Sequence, residues 1–149
     1  MKNKIFLTIL SVFLVFAFFS CDSGGSSDPD PNAPIITDFI LLSQANYNAN
    51  AWVGSTSFKK SDAVYLGIKA TDTDRDWNKW VVTGKRGSTV IITQDIDNTG
   101  IGSSTGTTTR IGIGNFASYG AGAYTIEIYA VDKSGKKSNV KSVNFTVTD

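Results

Sequence analysis

Histidine is missing from this chain altogether, and cysteine occurs once. Without histidine there is no side chain that ordinarily takes up a proton near neutral pH. Ser–His and Cys–His nucleophile pairs are excluded with it. A single cysteine cannot make a disulfide within the chain, so any folded domain must be held by its hydrocarbon interior. That is feasible. A disulfide typically adds about 2–4 kcal/mol, and burying one more Leu, Ile or Phe contributes about 1.5–3 kcal/mol. Charge of one sign is also lacking: 14 basic residues stand against 13 acidic ones, for a net charge of +1. There is no basic stripe, and hence no electrostatic footprint for nucleic acid. The charges are scattered, as on a solvated surface. The glycines of Thr99-Gly100-Ile101-Gly102 lie outside any strand–loop–helix context, so no phosphate cradle is implied. Paired aspartates can hydrolyse glycosides, but that chemistry needs a deep groove, which a domain of this size seldom has. A non-enzyme that requires no cofactor is expected.

What is present begins with an address. Lys2 and Lys4 precede an apolar run from Ile5 to Phe19, interrupted only by Thr8 and Ser11. The run falls short of the about 20 residues of a membrane span, and its flanks are those of a secretory signal. Phe18-Phe19-Ser20-Cys21 resembles the lipobox of bacterial lipoproteins, with Phe18 where leucine is common. That resemblance implies a signal peptide over residues 1–20 and a lipidated Cys21 as the first mature residue. It also implies attachment to the cell envelope through thioether-linked diacylglycerol and an N-acyl chain, the inner or outer membrane being left open. One acyl chain binds a membrane only marginally, with a constant of about 10⁴ M⁻¹, and several together anchor it firmly. Residues 21–33 are rich in Gly, Ser, Pro and Asp and are expected to form a linker.

The domain is expected over 34–149. Tyr124, Ile126, Ile128 and Ala130 alternate with Thr125, Glu127 and Tyr129, the period of a strand with one buried face. Gly122 precedes that strand and Asp132-Lys133-Ser134-Gly135 ends it. Six more segments have strand character: Ile35–Leu42, Ala63–Ala70, Trp77–Thr83, Thr89–Gln94, Arg110–Gly114 and Val140–Val147. Between them lie a long polar passage, Ser43–Asp62, and a Gly/Ser/Thr-rich loop, Asn98–Thr109. No helical period is visible beyond the leader. Gly-x-Tyr before the alternating strand and Ala-x-Asp-x-x-Gly after it resemble strand F of immunoglobulin-like domains. The bacterial Ig-like, fibronectin type III-like and PKD-like modules match about equally. The resemblance implies an all-β fold, a seven-stranded immunoglobulin-like β-sandwich. It places Tyr124 at a tyrosine corner, with Leu66 or Ile68, Trp80 and Ile126 where other members have a disulfide packed on tryptophan.

Two groups of residues could carry a function. Asp72, Asp74 and Asp76 alternate after a strand, as oxygen ligands for Ca²⁺ would. In an immunoglobulin-like sandwich Asp132 would join them at the same pole. The spacing is not that of an EF-hand, because Trp77 stands in place of the turn glycine and Thr83 in place of the bidentate glutamate. Aspartates also start turns by accepting from their own backbone, which is the commoner use. Tyr47, Trp52 and Trp77 are candidate contact residues for a protein or carbohydrate ligand, since aromatic rings dominate binding hot spots and stack on sugars. Phe58, in the same polar passage, is expected in the core. The sequence is compatible with a binding or adhesion module, or with a structural spacer that has no ligand of its own.

Overall fold

A computed structural model describes residues 32–97 and 105–149. The expected leader, Cys21 and nearly all of the linker lie outside the described residues. In chain order the elements are β1 (Ile35–Leu42), α1 (Gln44–Asn48), β2 (Ser57–Lys59), β3 (Val64–Thr71), β4 (Trp77–Arg86), β5 (Thr89–Asp97), β6 (Gly106–Gly114), β7 (Gly122–Asp132) and β8 (Lys141–Thr148). They form two sheets, one in the order β1-β3-β6 and the other in the order β2-β8-β7-β4-β5. Neighbours run antiparallel except β2, which lies parallel to β8.

Alternation decides which face of each strand turns inward. On β3 the even residues Val64, Leu66, Ile68 and Ala70 are buried, and on β7 so are Tyr124, Ile126, Ile128 and Ala130. Trp80 and Val82 of β4 and Phe145 and Val147 of β8 complete one continuous cluster shared by both sheets. Trp80 keeps 1% of its surface exposed. Hydrocarbon therefore fills the middle of the molecule, where Leu66, Ile68, Trp80 and Ile126 were expected.

The entry to β7 is a tied corner. The Tyr124 hydroxyl lies 2.8 Å from the carbonyl oxygen of Tyr119 and 2.6 Å from that of Gly120. Arg86 donates to the carbonyls of Tyr119 and Ala121 at 2.8 and 2.7 Å. Its guanidinium comes so close to Gly122 that a Cβ there would lie 3.2 Å from Nη2, at a φ of +151° that side chains rarely adopt. Phe116 closes the corner from below, its ring centroid 5.2 Å from that of Tyr124.

Several elements extend beyond the expected bounds. β6 starts at Gly106, because Thr107, Thr108 and Thr109 pair with Ala70, Lys69 and Ile68. β-Branched threonine suits a strand, although its polarity resembles that of a loop. β4 and β5 each run three residues further, to Arg86 and Asp97. The polar passage holds two elements of its own. α1 is one capped turn, with the Ser43 side chain accepting from the Asn46 amide at 3.2 Å. β2 raises the strand count among the described residues from the expected seven to eight. It carries Phe58, which is buried and meets Phe145 edge-on at 5.8 Å.

Candidate functional site

At one end of the molecule the loop after β3 meets the loop after β7. Trp77 pairs with Asp132, and the Lys133 amide donates to the Asp76 carbonyl at 2.8 Å. Asp72, Asp74, Asp76 and Asp132 are thus brought to one pole, and Asp72 and Asp132 are buried. Each of those two closes its own turn. Asp72 Oδ1 accepts from the Asp74 amide at 3.1 Å and Oδ2 from the Asp76 amide at 3.2 Å. Asp132 Oδ1 accepts from the Ser134 hydroxyl and the Lys136 amide, both at 2.8 Å. Buried aspartate here substitutes for water at backbone N–H groups that the turns leave unpaired. Between them Arg75 adopts a φ of +60°.

Asp76 is the member under electrostatic pressure. Its Oδ1 is buried with no hydrogen-bond partner. Burial first, then the charges of Asp132, Asp72 and Asp74, push its carboxyl above the usual carboxylate range. A cation would relieve that pressure. Among the described residues, however, no group of three or more His, Cys, Asp or Glu is disposed to hold a metal ion. The geometry accounts for Asp72 and Asp132 as turn-closing acceptors. Trp77, at the same pole, is 5% exposed and packs on Trp80 at 5.6 Å. It belongs to the core, too enclosed to offer a ring to a ligand.

The other two aromatic candidates come together elsewhere, on the outer face of the β1-β3-β6 sheet. There the chain from Ser43 to Thr56 crosses the sheet. Trp52 sits over Gly67 beside Ile40 and Leu42. A Cβ at Gly67 would lie 3.3 Å from the indole, 3.3 Å from Leu42 and 2.9 Å from Ile40, so the crossing depends on that glycine. The indole Nε1 donates to Asp38 Oδ2 at 2.7 Å. The Lys69 ammonium lies 4.3 Å from the ring centroid and the Arg110 guanidinium 5.7 Å from it. Arg110 also holds the crossing by its backbone, donating to the Asn50 carbonyl at 3.0 Å and to the Asn50 side-chain oxygen. Asn50 has a φ of +53°, a conformation asparagine tolerates better than most residues. Trp52 is therefore clamped in place.

Tyr47 is more open, at 37% exposed. Its ring stacks on Tyr65 with centroids 4.0 Å apart and planes 20° from parallel. The Tyr65 hydroxyl donates to Gln44 Oε1, and Gln44 Nε2 donates to Asn48 Oδ1 at 2.7 Å. Two tyrosines rimmed by side-chain amides make a surface that can bind by stacking and by directional hydrogen bonds. Tyr65, Lys69, Arg110 and Asn50 were not singled out from the sequence. Tyr65 and Lys69 have the parity opposite to the apolar residues of β3, so their outward direction was readable. What they meet there depends on a crossing with no periodic pattern.

Compared with known proteins, the chain matches no family model and no curated protein. Its chemistry rests on the geometry just described.

Proposed function

We propose that this chain is a lipid-anchored protein of a bacterial cell envelope, whose immunoglobulin-like domain binds a protein or a glycan without catalysis. Taken as strands A, B, C, C′, E, F and G, β1, β3, β4, β5, β6, β7 and β8 give an ABE sheet facing a GFCC′ sheet. β2 is then the part of the first strand that crosses over to lie parallel to the last. That order, the tied Tyr124 corner and the buried Trp80 support the immunoglobulin-like assignment. The lipid anchor is supported by Phe18-Phe19-Ser20-Cys21 and the leader before it.

The binding role is carried by one observation, the stack of exposed Tyr47 on half-buried Tyr65 with the Gln44 and Asn48 amides beside it. The test is crosslinking capture from intact envelopes, comparing the native chain with a Tyr47→Ala/Tyr65→Ala variant. Loss of a captured protein or glycan in the variant is the expected result. An identical captured set, in a variant that still folds, would remove the tyrosines from the interface. A structural role without a ligand is favoured by a different feature, the length and exposure of β5 at the edge of the larger sheet.

A further inference from the structure

β5 is the last strand of the larger sheet, and among the described residues only β4 pairs with it. Folded proteins guard such edges with short strands, lysine, proline, bulges or a covering segment. The three other edges among the described residues are guarded in these ways. β1 has a register shift between Ile36 and Asp38, and its Leu41 carbonyl and Ile36 backbone are bonded by the Ser55 amide and the Asn139 side chain. β2 has three residues, one of them Lys59. β6 carries three glycines and Arg110. β5 has nine residues, Thr89–Asp97, with no proline, glycine, lysine or arginine, and its only charges are Asp95 and Asp97. Its one irregularity, where the register shifts between Gly84 and Lys85, leaves the stretch from Ile92 to Asp97 in unbroken pairing with β4.

That unbroken stretch is close to a palindrome in chemical character: Ile92-Thr93-Gln94-Asp95-Ile96. Antiparallel pairing of two such strands about Gln94 sets Ile92 opposite Ile96, Thr93 opposite Asp95, and Gln94 opposite its own copy. The consequences are specific. The even residues of β5 stand beside Trp80, Val82 and Gly84 in the sheet register, so the two isoleucine pairs extend the inner, apolar face of each sheet into the next. Thr93 can donate its hydroxyl to the partner's Asp95. The two glutamines face each other as amides that both donate and accept. No carboxylate faces a carboxylate, since Asp97 falls opposite Ile91. A shift of one residue would set Asp95 opposite Gln94 and turn isoleucines to the wrong face. Lys79, which holds Asp95 at 2.5 Å, keeps that charge neutralised within its own sheet.

We propose that β5 is a self-association edge through which two copies of this chain join antiparallel about Gln94, making one continuous ten-strand sheet from two five-strand sheets. The occupant is a second copy because the register about Gln94 pairs isoleucine with isoleucine and hydroxyl with carboxylate, and sets no two carboxylates directly opposite each other. An unrelated strand would have to match both pairings.

Cysteine crosslinking in intact envelopes tests this directly, because the native chain has only Cys21. The full chain with Gln94→Cys is exposed to a mild oxidant beside the unsubstituted chain and a Lys133→Cys control on the exposed loop after β7. Facing residues in an antiparallel pair are within disulfide range. The expected result is a shift to twice the monomer mass for Gln94→Cys alone. A mixture of Thr93→Cys and Asp95→Cys chains should crosslink to each other more than either does to itself, which reports the register. Dimer from Gln94→Cys no greater than from the control would overturn the proposal, as would equal self-crosslinking at Thr93 and Asp95. Both positions are exposed, so the variants test pairing rather than folding.

Discussion

Trp80 and Asp76 mark the two extremes of what one side chain does here. Trp80 is enclosed by both sheets and has no polar duty, so Trp80→Ala should cost about 3–5 kcal/mol in chemical denaturation. A loss below about 1 kcal/mol would mean that the sheets do not close on it. Asp76 works against the fold. Its carboxyl binds a proton more tightly folded than unfolded, so it adds stability below the ordinary carboxylate range and loses that contribution as pH rises through the elevated value. Asp76→Asn should therefore raise the melting temperature at neutral pH, with the gain vanishing in acid. An equal gain at every pH would point to a packing effect instead. The same residue bears on calcium. If Asp72 and Asp132 serve only their turns, millimolar Ca²⁺ leaves the melting curve of the native chain in place. A rise that Asp76→Asn abolishes would show that the carboxylates bind the ion.

At the scale of elements, the strands with a buried face were legible in the sequence, because burial on one side writes a period of two. β3 and β7 are the clearest, and the Tyr124 corner followed from its place two residues before Ile126. The Ser43–Thr56 crossing was not legible. It is held by Arg110 on Asn50, by Asp38 on Trp52 and by the space above Gly67, contacts between residues up to 60 positions apart with no local signature. Its single capped turn is shorter than two helical repeats, and β2 offers only Phe58 to the core. The aspartate pole was legible as a gathering of residues, since turn and strand order placed it. Its use was not, because the same carboxylates suit a cation or a backbone amide. The crossing also makes a prediction. Arg110→Ala removes two hydrogen bonds and a cation beside the indole, at a cost of about 1–2 kcal/mol. Chymotrypsin should then cut after Tyr47 and Trp52 sooner than in the native chain. Unchanged cleavage would mean that the sheet holds the crossing without Arg110.

The whole molecule is organised by where β1 begins. Ile35 pairs with Thr71, and the Ile36 amide and carbonyl bond to the Asn139 side chain at 2.8 and 3.1 Å. The domain thus starts at the pole that carries Asp72 and Asp132, while α1 and the Arg86–Thr89 hairpin lie at the far end. Cys21→Ser should move the protein from the detergent phase to the aqueous phase in phase-partition assays, and unchanged partitioning would remove the lipid anchor. If Cys21 is anchored as proposed, the Asp72–Asp132 pole is the end of the domain nearer the anchor in sequence, and Tyr47 is at the other end. Two copies joined antiparallel through β5 would have the starts of their β1 strands at opposite ends of the pair. Were both partners also lipid-anchored, the pair would most simply recline with its strands along the bilayer, each partner moored at its own end and the tyrosines of both turned sideways rather than out.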